Sequence, residues 1–243
     1  MNRVQQDFQD RVAEIEAFFA FVEKIENGGT LLTQVGSYHP AYSSIEQSNL
    51  LRTFRASSFL LLYNLMESTV ANAVEAIFDE LEVQGVSFDD CSAKVRGIVL
   101  RNLKQMGTKA SLPVLNRIAT DVISKTFDKE SVVSGNVDGE KIRELAQEWG
   151  FDHPKAPQVW QQATNRGFPV VLPSGQRLAG DGSTLLTVKN RRNKLAHGNT
   201  SFADVGRDFS CNDIIILKCE IIAYLDAVLQ NIADFIATQR YRV

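Results

Sequence analysis

Between Pro40 and Gly85 the chain contains neither glycine nor proline, and it contains neither again after Gly206. Each glycine costs a helix interior roughly 1 kcal/mol and each proline about 3 kcal/mol, so long stretches without them favour long helices. The periodicity of the apolar residues agrees. Over residues 48–83, Phe54, Ser58, Leu61, Leu62, Leu65, Thr69, Ala73 and Ile77 recur at three- and four-residue steps on one side, and Leu60, Val74 and Phe78 fall on the opposite side. A helix that is apolar on two sides belongs in the middle of a bundle. Residues 211–240 repeat the helical pattern through Ile214, Ile215, Leu217, Ile221, Leu225, Val228, Ile232 and Phe235. Residues 4–26 do so through Phe8, Val12, Ile15, Phe18, Phe19, Val22 and Ile25, before Gly28 and Gly29 stop them.

The rest of the chain is more broken. Residues 88–127 read as two shorter helices interrupted at Gly107. Residues 131–182 read as an insertion. Asp138 is placed to cap a short amphipathic helix through Ile142, Leu145 and Trp149 that Gly150 closes, and residues 168–172 and 176–178 are placed to form a small β-hairpin. A further helix is expected over 183–196, then a loop to Ser210. The fold class is therefore all-α: one helical domain over residues 1–243, with a small insertion able to carry a hairpin.

Composition narrows the function. The 26 basic and 29 acidic residues give a net charge of −3, which excludes a protein coated with basic charge for bulk nucleic-acid binding but leaves room for a local basic cleft. Cys91, Cys211 and Cys219 are scattered and form no C-x-x-C pair, so neither a structural zinc site nor a disulfide framework is expected. The opening residues are polar and acidic and no apolar run is long enough to span a bilayer, which suits a cytoplasmic chain without membrane attachment. No metal or cofactor is expected.

Chemistry concentrates in the run from Lys189 to Gly198. At 100° per residue, Leu185, Val188, Leu195 and Ala196 form an apolar face with Arg192 in its middle. Asn193 and His197 lie together on its edge beside Leu186, while Asn190, Arg191 and Lys194 point to solvent. An arginine centred on an apolar stripe must be paired or must face a cleft. Its planar fork suits a phosphate, and a histidine one turn from an asparagine suits proton transfer. Together they fit phosphoryl chemistry on an RNA backbone. Two other readings stay open at this level: a salt bridge from Arg192 to a buried carboxylate, and a purely capping role for His197 at a helix end closed by Gly198.

Arg192-Asn193-x-x-x-His197 resembles the R-x4-6-H signature of HEPN domains in its R-N-x-x-x-H form. The surrounding blocks, Phe59 to Val70, Ser134 to Asp138, and Arg192 to Phe202, resemble one HEPN subgroup in the same order. The resemblance implies a helical bundle that dimerises and brings two copies of the motif to one cleft. There a metal-independent endoribonuclease would leave a 2′,3′-cyclic phosphate and a 5′-hydroxyl, often as a toxin or antiphage-defence effector with an antitoxin or defence-system partner. Inactive members serve instead as interaction or nucleotide-binding modules. HEPN toxins silenced by AMP transfer carry tyrosine two residues after the histidine, and Asn199 stands here, which argues against that control.

The catalytic candidates are Arg192, His197 and Asn193, joined by Glu67, a carboxylate among Leu60, Tyr63, Val74 and Phe78. Glu67 is suited either to orient Arg192 or His197 or to form a structural ion pair with Arg55. Candidate RNA contacts are Arg191, Lys194, Arg101 and Lys104, the last two within a basic run over 96–109 that could equally be a solvated helix face. Phe168 and Arg177 on the hairpin are candidates for stacking a base.

Overall fold

The structure is a computed structural model and describes residues 1–27, 43–106 and 136–243, the side chains of 44 and 102–106 excepted. The second helix read within 88–127 and the loop at His39 lie outside the described residues. Among the described residues eight helices follow in order: α1 (Asn2–Glu26), α2 (Ser44–Val83), α3 (Ala93–Met106), α4 (Gly139–Trp149), α5 (Ala156–Asn165), α6 (Ser183–Ala196), α7 (Phe202–Arg207) and α8 (Cys211–Ala237). No β-strand occurs among the described residues, in keeping with an all-α fold. The expected hairpin is reduced to one antiparallel bridge between Val171 and Arg177, with Leu172 donating to Gln176 and Leu178 to Val170.

α2 is the central element. It packs against α1, α6, α7 and α8, and buries Phe59, Leu62, Tyr63, Leu65, Met66, Ile77, Phe78 and Leu81. Each such side chain contributes roughly 1.5–3 kcal/mol when fully buried. The helix begins four residues earlier than its apolar pattern suggests. Ser43 accepts the Glu46 N–H at 3.3 Å while the Glu46 carboxylate accepts the Ser43 N–H at 2.8 Å, a reciprocal capping box. α1 lays Phe8, Val12, Ile15, Phe19, Val22 and Ile25 onto the bundle at the spacing its sequence dictates. α4 is capped by Asp138, which accepts the Lys141 N–H, and closed by Gly150 at φ 93°. Its Ile142, Leu145 and Trp149 join the same core as α1, α2 and α8.

The segment read as a loop up to Ser210 contains α7, capped by the Ser201 hydroxyl on the Asp204 N–H. α7 meets α2 closely enough that a Cβ on Gly206 would lie 1.8 Å from the Arg52 carbonyl oxygen, so only glycine permits this contact. The segment after the R-N-x-x-x-H motif is thereby fixed on α2. α6 is held at its other end, where a Cβ on Gly139 would lie 2.7 Å from the Gly182 carbonyl oxygen. No described helix is long and apolar enough to cross a membrane.

Candidate functional site

α6 packs Leu185, Val188 and Leu195 against α2, as its pattern dictates. Ala196, expected on that face, is exposed because the helix ends beside it. The ending is a Schellman turn. His197 occupies the C-cap, Gly198 turns left-handed at φ 67°, Gly198 N–H donates to Leu195 at 3.1 Å and Asn199 N–H to Lys194 at 3.0 Å. The consequence is that His197 projects its ring from the end of the helix, exposed, with no hydrogen bond or ion pair to it among the described residues.

Arg192 sits one and a half turns back, half-buried. Its guanidinium carbon lies 4.3 Å from the centroid of the Tyr63 ring, and Nη1 donates to the Asn193 side-chain oxygen at 3.0 Å. Among the described residues no carboxylate pairs with it. Tyr63 is fully buried, and its hydroxyl accepts the Val137 N–H at 3.4 Å. Burial pushes the Tyr63 phenol up, and the nearby Glu67 charge pushes it further, while Val137, Arg192 and Lys189 oppose both. Glu67, one turn after Tyr63 on α2, is half-buried. The alternative partner proposed for it, Arg55, is bound instead to Glu26 at 2.8 Å.

One turn before Arg192, Lys189 forms an ion pair with Asp138. Burial works to raise the Asp138 carboxyl, but the Lys189 hydrogen bond and the Lys141 N–H outweigh it and hold it below the usual aspartate range. α6 is thus tied to the cap of α4 at the residue preceding the motif by one turn.

The other candidates scatter. Arg191, expected to point freely into solvent, donates to Asp208 at 3.1 Å and lies over the Phe209 ring at 5.0 Å. Lys194 is exposed and makes no ion pair among the described residues. Arg101 is held in a bidentate pair with Glu148 at 2.8 and 2.9 Å, on the contact between α3 and α4, so its fork is occupied. The Lys104 side chain lies outside the described residues. Arg177 stacks on Trp160 at 4.9 Å, and Phe168 covers Lys218. The structure therefore gathers Arg192 and Asn193 beside Tyr63 at the end of α6 that exposes His197, and leaves Arg101 elsewhere. The apolar pattern of α2 and the motif spacing do not single out Tyr63 or Lys189 as site residues. The available signals were a tyrosine one turn before Glu67, and a lysine one turn before Arg192 on the same face.

The profile of the MAE_28990-like HEPN family matches residues 1–241. The chain belongs to the HEPN family. The chain matches no curated protein and no solved structure. The HEPN match covers the long helices and the helix that carries Arg192 alike.

Proposed function

We propose that this HEPN protein is a metal-independent endoribonuclease acting at a site shared by two protomers. The observation that carries the reading is the half-buried Arg192, held on a tyrosine face and a neutral amide with no carboxylate partner among the described residues, on the helix whose C-terminal end exposes His197. A guanidinium kept in a partly desolvated place without an anion is suited to receive one. With two copies facing one cleft, one imidazole takes the proton from the ribose 2′-hydroxyl. The resulting oxygen attacks the adjacent phosphorus, and the 5′-oxygen leaves with a proton from the second imidazole. Arg192 stabilises the negative phosphorane, and Asn193 fixes the guanidinium. The products are a 2′,3′-cyclic phosphate and a 5′-hydroxyl. Glu67 supports the site from α2, and Arg191 and Lys194 contact the flanking backbone. A role as a toxin or antiphage effector, restrained by a partner protein, suits such an activity.

The test is cleavage of mixed RNA in EDTA. The wild-type protein cuts, and His197→Ala reduces cutting by at least about 10³-fold while its far-ultraviolet circular dichroism is unchanged. Cutting that survives in His197→Ala, or that EDTA abolishes, sinks the proposal.

A further inference from the structure

The segment 137–138, the end of a block noted in the sequence without any task, meets α2 at one point and the motif helix at another. The Val137 N–H donates to the Tyr63 hydroxyl, and Asp138 takes the Lys189 ammonium. Tyr63 presents the face of its ring to Arg192, and Lys189 precedes Arg192 by one turn on the same side of α6. Gly139 abuts Gly182 with no space for a side chain. α2, the 137–139 strap and α6 thus form a closed frame in which Arg192 rests on a buried ring. A guanidinium packed over the face of a ring gives no hydrogen bond to it, so its N–H groups stay available for the bonds that a phosphate takes. A carboxylate partner would occupy those same N–H groups.

We propose that Tyr63 is a positioning residue for Arg192: a platform, held by the burial of its ring, that sets where the guanidinium lies. It touches no substrate and transfers no proton. The inference rests on the proposed function only for what the positioning serves. A side chain that orients a charged group without binding RNA acts on the reacting geometry, so its loss falls on kcat and spares KM.

The test uses the full-length protein and two readouts. The first is the nuclear magnetic resonance signal of the Arg192 Nε–H group, identified by its disappearance in Arg192→Lys. A guanidinium over a ring has this proton shifted upfield by the ring current. The signal is expected upfield of those of exposed arginines in the wild type and in Tyr63→Phe, and at the exposed position in Tyr63→Leu. The second readout is RNA cleavage. Tyr63→Phe keeps kcat within about 3-fold although Val137 loses its acceptor and the melting temperature falls. Tyr63→Leu lowers kcat by about 10–100-fold with KM within about 3-fold. A residue that only filled the core would instead tie activity to melting temperature across both variants. An unshifted Arg192 signal in the wild type or in Tyr63→Phe overturns the inference even if Tyr63→Leu fails to fold, as does a Tyr63→Leu protein with full kcat. A wild-type protein that shows the shifted signal, loses it in Tyr63→Leu and cuts no RNA upholds the platform and removes the nuclease reading.

Discussion

Arg166 and Arg192 are half-buried arginines of one bundle, and each lies against an aromatic ring, Phe8 at 5.4 Å and Tyr63 at 4.3 Å. Their polar partners differ. Arg166 follows α5 and gives both Nε and Nη2 to the Asp226 carboxylate of α8, with a further bond to Gln9 at 3.0 Å. Arg192 gives one hydrogen bond to the neutral amide of its neighbour Asn193. Arg55, bound to Glu26, follows the pattern of Arg166. A guanidinium taken partly out of water is costly unless an anion meets it. The bundle supplies that anion internally at Arg55 and Arg166, where the charge ties helices together. Arg192 retains a charge that no described carboxylate neutralises, which is expected where the anion is a substrate phosphate.

The comparison breaks most readily at Arg192 itself. Arg192→Ala is expected to lower RNA cleavage by about 10³-fold, about 4 kcal/mol of transition-state stabilisation. Its unfolding free energy, followed by urea denaturation, should change by about 1 kcal/mol or less, because no internal ion pair is lost. A variant that keeps its activity and unfolds far more easily would make Arg192 a second Arg166. The converse change is Asp226→Ala. It strands Arg166 in a half-buried site and should cost about 3 kcal/mol of stability, toward the lower end for breaking a buried pair. Cleavage by the folded fraction should stay within about 2-fold of wild type. A larger loss would mean that the α5–α8 pair also shapes the cleft.

The sequence makes one side of this contrast easier to read than the other. The central position of α2 follows from the spacing of its apolar residues and the absence of glycine and proline, and Arg192 stands out because a charge interrupts an otherwise apolar stripe. Asp138 and Gly150 mark the ends of α4 through local chemistry that a few residues determine. The early start of α2 was also written locally, in Ser43 and Glu46, but its first turns carry no strong apolar period to draw attention to it. α7 is hidden among residues that favour turns, although the Ser201 hydroxyl caps it on the Asp204 N–H. What local pattern cannot show is which partner a charge finds across the fold. Arg191 meets Asp208 because α7 docks on α2 through Gly206, and Arg101 meets Glu148 because α3 packs on α4. Tyr63 stands one turn before Glu67 within an apolar stretch, and only the placement of α6 turns its ring into a support.

Lys189 sharpens the contrast within α6, since it precedes Arg192 by one turn and does have a carboxylate, Asp138. Asp138 has two tasks, capping α4 and neutralising Lys189, and Asp138→Asn separates them. Asparagine caps a helix about as well as aspartate, so the variant removes the charge and leaves the cap. The expected cost at neutral pH is about 2 kcal/mol, below that of a fully broken buried pair because the asparagine oxygen still accepts a bond from Lys189. The cost should depend on pH in a set direction. The folded state holds the Asp138 carboxyl below the ordinary aspartate value of 3.8, so its charge contributes fully above that value and the contribution is lost as pH falls through the folded one. Wild type and Asp138→Asn should therefore differ most above the ordinary aspartate range and converge as pH falls through the lowered folded value, measured by urea denaturation at descending pH. Arg192→Ala, which removes no ion pair, should show no such convergence. A difference between wild type and Asp138→Asn that stays constant down to acid pH would mean that Lys189 is held by the packing of α6 rather than by charge. The frame that carries Arg192 would then owe its rigidity to Gly139 against Gly182 and to Tyr63.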